Sequence, residues 1–177
     1  MTCFARMGYD EATTNHIAAQ AAISPGSLYQ FFPNKEAIAQ ALAQRYNEDL
    51  QQVYAAAFAA LRASLPLAEW VDQVIDTLLA FHDGHPAFHI LLNTPPSTEV
   101  AKLTQDLPSE LRRQFERGLQ QRTATLSPEQ LALSATMSTQ LFRATLPLIL
   151  TSSTDQRALL VAELKTALRR YLEPLLG

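Results

Sequence analysis

Apolar residues recur at spacings of three and four along nearly the whole chain, whereas β-branched and aromatic residues never alternate over the length of a strand. This pattern predicts an all-α protein. Proline, serine and glycine mark the ends of the helices. We expect a first helix that ends at Gly8, short helices from Thr14 and Pro25, and longer helices over 35–63, 67–82, 85–93, 98–122, 128–150 and 155–176, with room for a break at Pro108.

The composition is that of an ordinary globular protein. Of the 177 residues, 47% are hydrophobic and 18% are charged, which allows a sizeable core in one or two domains. No run approaches the roughly 18 consecutive apolar residues of a membrane span, and the first residues do not have the pattern of a signal peptide. The single cysteine, Cys3, excludes an intramolecular disulfide and a zinc site with several thiolates. We therefore expect a cytoplasmic protein with no membrane partner and no cofactor.

The charge of the chain argues against general coating of nucleic acid. The net charge is −3, and residues 1–45 carry as many acidic as basic side chains. A local contact surface is still compatible with this balance. The charged residues of 1–45 are Arg6, Lys35 and Arg45 against Asp10, Glu11 and Glu36.

The stretch from Thr13 to Lys35 interrupts the helical pattern with two serines, two prolines and a glycine. We expect the Thr14 hydroxyl to cap the first short helix. Ser24 and Pro25 should begin the second, since serine is a preferred N-cap and proline suits the first helical position. Only a few residues separate the two helices, so they must cross steeply. This arrangement is a helix-turn-helix.

The second of these helices is expected to have an apolar side toward the core and a small, polar side outward. Gln30 can donate to and accept from an adenine edge in a major groove. Tyr29 can contact a phosphate, a sugar or a thymine methyl. At 100° per residue, the inward side consists of Leu28, Phe31 and Phe32, and the outward side of Gly26, Tyr29 and Gln30.

Lys35 begins the next predicted helix, although a cation at a helix N-terminus is disfavoured by about 0.3–1 kcal/mol through the helix dipole. An anion in front of the helix, such as a DNA phosphate, would remove this conflict. The alternative is a solvated lysine that pairs with Glu36 or with nothing.

Three motifs in the first quarter of the chain are specific in both spacing and residue type. They are G-Y-x-x-x-T-T from Gly8 to Thr14, I-A-x-x-A from Ile17, and S-P-G-S-L-Y-Q-F-F-P-N-K-E from Ser24 to Glu36. With these motifs the sequence resembles the tetracycline-repressor (TetR/AcrR) family of bacterial transcription regulators. The remainder of the chain agrees with that family only in the number and length of its helices.

The resemblance implies a helix-turn-helix DNA-binding domain over residues 1–45 and an effector-binding and dimerisation domain over 46–177. It implies a repressor that binds a palindromic double-stranded operator and responds to a small apolar or aromatic effector. The homodimer would form through the last two helices, Pro128 to Leu150 and Asp155 to Leu176. The positions that match DNA contacts of the family are Thr14, Asn15, Ser24, Pro25, Gly26, Ser27, Tyr29, Gln30 and Lys35.

The last two predicted helices carry broad apolar faces. Their pattern alone is explained equally well by a subunit interface and by ordinary core packing, and the resemblance favours the interface. The faces consist of Leu131, Ala135, Met137, Leu141, Phe142, Leu146 and Ile149 in one helix, and of Leu160, Leu164, Leu168, Tyr171, Leu172 and Leu175 in the other.

The chain departs from the family pattern at four places. Pro25 replaces a polar residue and cannot make that residue's contact, and Phe31 replaces a more polar aromatic residue or a histidine. Ala22 stands where the turn usually has glycine, which costs about 1 kcal/mol if the backbone needs a positive φ. Only seven residues precede Gly8, fewer than in the first helix and N-terminal arm of the family, so we expect the first helix to be truncated. Whether the native chain extends beyond Met1 stays open.

Large side chains of the middle helices are candidates for the lining of an effector pocket, with simple core packing as the alternative for each. His85 and His89 have the i, i+4 spacing of a metal pair, but a turn falls beside them and no third ligand is evident beyond Asp83. We therefore expect no metal site. The candidate effector-binding residues are Trp70, Phe81, His82, Phe88, Phe115, Met137 and Phe142.

Two other functions were weighed against a regulator. A helical enzyme or metal protein would use His82, His85 and His89, but no nucleophile–base pair, carboxylate dyad or phosphate-binding glycine loop accompanies them. We therefore expect no enzyme. The alternative that stays open is an effector- or metal-binding helical dimer without DNA-binding activity.

Overall fold

The computed structural model describes residues 2–59, 65–93, 95–123 and 125–176. Over these ranges the regular structure is entirely α-helical, which confirms the prediction from the apolar pattern. The helices are α1 (Thr2–Glu11), α2 (Thr14–Gln20), α3 (Pro25–Phe31), α4 (Lys35–Ala59), α5 (Leu67–Gly84), α6 (Pro86–Asn93), α7 (Thr98–Thr104), α8 (Leu107–Gln120), α9 (Pro128–Thr151) and α10 (Thr154–Leu176).

The helix boundaries lie within about two residues of the predicted ones, apart from two larger differences. Gly8 has a φ of 75° and interrupts α1 as expected, but helical backbone resumes beyond it as far as Glu11. The predicted helix over 98–122 is divided into α7 and α8 at residues 105–106, and Pro108 is the second residue of α8. Proline fits there because the first helical N–H groups have no partner within the helix. The predicted end of the long helix, at 60–63, lies outside the described residues.

Backbone packing divides the chain into two compact units. The first unit comprises Met1–Gln51 and Phe81–Leu107. In it α1 packs against α6, and α2 packs against α3. Tyr46 of α4 and Phe88 of α6 are buried in its core with an edge-to-face ring contact of 5.3 Å between centroids. The first unit therefore contains the helix-turn-helix segment and the helices that support it.

The second unit comprises Gln52–Ala80 and Pro108–Gly177. Its core holds a cluster of three aromatic rings in edge-to-face contact, Phe58, Trp70 and Phe115, with centroids 5.0 to 6.2 Å apart. Gly118 allows this packing, because a Cβ atom there would lie 2.8 Å from Cζ2 of Trp70. These two units are defined by packing alone. The predicted division into a DNA-binding domain (1–45) and an effector-binding and dimerisation domain (46–177) is a division by function, and it stays a prediction.

The apolar faces expected on the last two helices are mainly used within the chain itself. Helices α9 and α10 pack against each other. The buried members of the predicted faces are Leu131, Ala135, Phe142, Leu146 and Ile149 of α9 and Leu164, Leu168 and Leu172 of α10. Core packing therefore explains most of the pattern. Other large apolar side chains of these helices are exposed, namely Leu133, Met137, Leu148 and Leu159.

Candidate nucleic-acid interface

The N-cap of helix α2 lies one residue earlier than expected. Thr13, not Thr14, is the N-cap, since its backbone is extended and its Oγ1 accepts a hydrogen bond from the His16 N–H at 3.1 Å. Thr14 is already helical, and its hydroxyl shares a hydrogen bond of 2.8 Å with the hydroxyl of Tyr29. The assignment of the cap to Thr14 was therefore wrong. The hydroxyl of Thr14 links α2 to α3 instead.

The turn between α2 and α3 has the predicted construction. Ser24 is the N-cap of α3, with its Oγ accepting from the Ser27 N–H at 3.0 Å, and Pro25 is the first helical residue. Ala22 adopts a φ of 55°, which is the left-handed conformation expected for this turn. Alanine tolerates that conformation at a cost of about 1–2 kcal/mol. The Ile23 N–H closes the turn by donating to the Ala18 carbonyl at 3.0 Å.

Helix α3 presents the predicted small and polar side to solvent. Leu28 is buried, and Phe32 is half-buried at the C-cap. Gly26, Tyr29 and Gln30 are exposed, which confirms their expected orientation.

Phe31 does not face the core, as the periodicity predicted, but is 76% exposed. The reason is the length of α3, which has only seven residues and ends at Phe31. A helix this short buries a narrow stripe, and Leu28 and Phe32, four residues apart, occupy it. Phe31 is then left on the flank. The sequence carried no signal for this choice, because both phenylalanines fit an apolar face.

Hydrogen bonds within the helix-turn-helix already fix several outward polar groups. The Tyr29 hydroxyl is held by Thr14, and the Ser27 hydroxyl shares a hydrogen bond of 2.9 Å with that of Ser24. Among the residues that the structure describes, none forms a hydrogen bond with the exposed side-chain amide of Gln30. Gln30 therefore has both its donor and its acceptor available for a ligand.

Lys35 has a partner that the sequence did not indicate. Its Nζ donates hydrogen bonds to the carbonyl oxygens of Tyr9 at 2.7 Å and Asp10 at 3.0 Å, and it lies 4.3 Å from the centroid of the Tyr9 ring. These carbonyls belong to the end of α1, where the helix dipole is negative. The conflict between Lys35 and the dipole of its own helix is thus offset by the end of α1. Pairing with Glu36, or with nothing, was the wrong alternative.

The other predicted DNA-contact residue of α2, Asn15, is exposed. Pro25, like its neighbours Ser24 and Gly26, is also exposed at the start of α3. The predicted DNA-binding residues therefore come from α2, from α3 with its N-cap, and from the first residue of α4. Their contact with DNA stays a prediction.

The candidate effector-binding residues fall in two units of the chain. Trp70, Phe115 and Phe142 are buried in the second unit, whereas Phe81, His82 and Phe88 are buried in the first. Met137 of α9 is 43% exposed. The gap beside the Trp70 and Phe115 rings is too narrow to hold a water molecule. Their role in effector binding stays a prediction.

The three histidines of 82–89 form a contact network in the first unit. His82 Nδ1 and His89 Nε2 are 3.1 Å apart, and His85 Nδ1 donates to the Phe81 carbonyl at 2.7 Å. Burial, reinforced by the nearby His89 and His85, lowers the pKa of His82 to about 3, and burial also lowers the pKa of His89. The His82–His89 contact therefore joins neutral rings. Over the described parts of the chain no group of three metal-ligating side chains occurs.

Helix-turn-helix geometry with an exposed outer helix is the architecture of a class of DNA-binding regulators. Residues 1–42 match the family model described as bacterial regulatory proteins, tetR family. Residues 66–172 match the model described as tetracyclin repressor-like, C-terminal domain. The chain belongs to the TetR family of transcription regulators, which are DNA-binding proteins and not enzymes.

Two solved structures are similar along nearly the whole chain. The fatty acid degradation regulator FadR from Bacillus halodurans has a TM-score of 0.64 and 16% identity, with 94% of this chain and 92% of that chain covered. A protein assigned to the tetR family of transcription regulators, from Shewanella sp. PV-4, has a TM-score of 0.56 with the same identity and coverage. At this identity the likeness shows the fold alone. No curated protein matches the chain.

The helices that the structure describes include none long and apolar enough to span a membrane.

Proposed function

We propose that this chain is a cytoplasmic repressor that binds a two-fold symmetric operator as a homodimer and is controlled by a small apolar or aromatic effector. The observation that carries the proposal is the orientation of α3. Its one buried side chain, Leu28, anchors the helix, while Gly26, Tyr29 and Gln30 lie exposed on the opposite side. A helix held in this way can enter a major groove without any rearrangement of its own packing.

The proposed contacts divide into base readout and phosphate binding. Gln30 reads an adenine through its side-chain amide, which is free in the protein alone. Tyr29, fixed by Thr14, contacts the sugar–phosphate backbone, as do the exposed N-terminal end of α3 and Asn15 of α2. Lys35 has two of its three N–H groups on the carbonyls of α1, so the third is available for a phosphate.

The proposed dimer uses the outer sides of α9 and α10. On α9 the exposed residues Leu133, Met137, Gln140, Ala144 and Leu148 recur at spacings of four, three, four and four, which places them along one side of the helix. On α10, Ala158, Leu159 and Ala162 are exposed, and small residues there allow another helix to approach closely. A second copy of the chain would cover these apolar side chains.

The proposed effector control depends on two helices that each contribute to both units. Helix α4 crosses from the first unit to the second after Gln51, and α5 crosses back after Ala80. An effector that binds the second unit and shifts either helix would change the separation of the two helix-turn-helix segments in the dimer. These segments would then fit, or cease to fit, DNA half-sites about one helical turn or a small multiple of turns apart.

Selection of bound sequences from a pool of random duplexes tests the DNA-binding part of the proposal. We expect a two-fold symmetric consensus, because a dimer of this kind presents two copies of α3. Binding to none of the duplexes would favour the alternative of an effector-binding dimer without DNA-binding activity. Equal binding to all of them would contradict recognition of a specific operator.

Sedimentation equilibrium tests the dimer. Leu133→Glu places a charge on the proposed interface and should yield monomers, since an unpaired charge buried between subunits is strongly unfavourable. Gln121→Glu adds the same charge at an exposed position at the end of α8 and serves as the matched control. A dimer that survives Leu133→Glu unchanged would place the interface elsewhere.

A further inference from the structure

Phe31 is the most exposed large hydrophobic side chain that the structure describes, at 76%. Single exposed hydrophobic residues are normal on protein surfaces, so exposure alone would not require an explanation. The position of Phe31, however, requires an explanation. It is the last residue of α3, directly after Gln30, on the helix whose outward side forms the candidate DNA interface.

The packing of the first unit does not account for this ring. Leu28 is buried and Phe32 is half-buried, so these two residues supply the apolar contacts of α3 with the rest of the unit. Phe31 therefore adds apolar surface to the helix without adding to its core. Its ring is available to a ligand that approaches the exposed side of α3.

Several other polar groups of α3 already have hydrogen-bond partners within the protein. The hydroxyls of Tyr29 and Ser27 are held by Thr14 and Ser24. The amide of Gln30 is thus the free polar group on the outward side of α3, and the exposed ring of Phe31 follows it in sequence on the flank of the helix. A phenyl ring cannot bond a phosphate, and the apolar feature that a major groove offers it is the 5-methyl group of thymine.

We propose that Phe31 reads a thymine of the operator through its 5-methyl group, beside the base pair that Gln30 contacts. The inference rests on the proposed function and names a second specificity-determining residue of the same surface. Adjacent helical residues diverge by about 100°, so Gln30 and Phe31 contact neighbouring positions of the site and not the same base.

Replacement of thymine by uracil tests this contact, because it removes the methyl group and leaves every hydrogen-bonding group in place. The probe is the consensus duplex that the parent protein selects from the random pool, with each thymine of one half-site changed to uracil in turn. Affinities are measured by fluorescence anisotropy. We expect one uracil position to weaken binding of the parent by about fourfold, the effect of exposing one buried methyl group. Phe31→Ala should bind the thymine and uracil duplexes equally, whereas Gln30→Ala should keep the difference.

The outcomes separate this inference from the proposed function. A consensus with no uracil-sensitive thymine, or a Phe31→Ala variant that stays as sensitive as the parent, overturns the role of Phe31 and leaves the regulator intact. Failure of the parent to select any sequence overturns both. Thermal unfolding of Phe31→Ala should match that of the parent because the ring is exposed. If it does not, Phe31→Leu, which changes the side chain less, takes its place in the uracil series.

Discussion

Helices α3 and α8 are held in the molecule by opposite means. Helix α3 has seven residues, of which Leu28 alone is buried, and it is fixed at its ends by the Ser24 cap and by the hydrogen bond between Thr14 and Tyr29. Helix α8 has 14 residues and buries a regular apolar side, and its Gly118 lies against Trp70. The buried apolar side of α8 consists of Leu107, Leu111, Phe115 and Leu119.

The difference separates α3, the helix proposed to bind DNA, from α8, a helix held by packing. Leu28 and the polar contacts of Ser24 and Tyr29 hold α3 in place, while Gln30 on its outer side stays available to a ligand. The close packing of α8 leaves little freedom for substitution, since protein interiors are as dense as organic crystals. Substitutions on the outer side of α3 should therefore change binding, whereas substitutions on the inner side of α8 should change stability.

The largest effect is expected in the aromatic cluster of the second unit. Phe115→Ala should lower the free energy of unfolding by about 3–5 kcal/mol, because it removes a ring packed against Phe58 and Trp70. Urea denaturation measures the change. Arg117→Ala, at an exposed position of α8, is the control and should cost less than about 0.5 kcal/mol. A small loss for Phe115→Ala would mean that α8 is not held by packing.

The contact between His82 and His89 is polar, like the contacts that hold α3, but His82 is buried, like the apolar side of α8. Because the pKa of His82 in the folded protein, about 3, is below its unfolded value of about 6.5, the unfolded state binds more protons in acid. Stability should be complete above pH 6.5 and fall by about 1.4 kcal/mol per pH unit below it, or about 2 kcal/mol by pH 5.

Urea denaturation between pH 7 and pH 5 checks this dependence. His82→Leu should remove most of the slope, whereas His16→Leu, at an exposed position of α2, should leave it in place. An equal slope in the parent and in His82→Leu would show that other groups govern the acid response.

Lys35→Met tests whether polar contacts hold α4 to the end of α1. It removes two hydrogen bonds from a charged donor to the end of α1 and should cost about 1–3 kcal/mol in stability without any DNA present. It should also weaken binding to all duplexes alike and flatten the salt dependence. Lys102→Met, at an exposed lysine paired with Glu99, is the control and should change stability by less than about 1 kcal/mol. A purely DNA-related effect of Lys35→Met would contradict the structural role.

The smallest effect is expected in the turn before α3. Ala22→Gly should raise stability by up to about 1 kcal/mol, because glycine adopts the φ of 55° without the steric penalty of alanine. Ala19→Gly, inside α2, should lower stability by about 1 kcal/mol. Thermal unfolding of the two variants should therefore shift in opposite directions. A shift of Ala22→Gly in the same direction as Ala19→Gly would argue against the left-handed turn.

The features predicted correctly depend on local chemistry. Ser24 followed by Pro25 identifies the start of α3, because capping and a fixed φ act within a few residues. Periodicity likewise identified the helices, and it placed Leu28 inward. The choice between Thr13 and Thr14 as the cap was beyond the sequence, since it depends on where the backbone becomes extended and both residues have the same hydroxyl.

The features missed depend on contacts between distant parts of the chain. Lys35 binds carbonyls 25 and 26 residues away, which no local pattern indicates. Periodicity predicts a buried Phe31 because it shows which residues share a side of the helix. It does not show how much of that side the rest of the protein covers, and Phe31 is exposed. The apolar faces of α9 and α10 raised the same ambiguity, since a periodic face does not reveal whether its own chain or a second copy covers it.

The most direct test of whether the outer side of α3 reads bases is the effect of Gln30→Ala on sequence discrimination. Affinities of the parent and the variant would be measured for the selected consensus and for duplexes changed at one base pair at a time. We expect discrimination at one base pair to fall by about 1–3 kcal/mol in the variant, while binding to random duplex and the salt dependence stay the same. Unchanged discrimination at every position of the consensus would contradict base readout by α3.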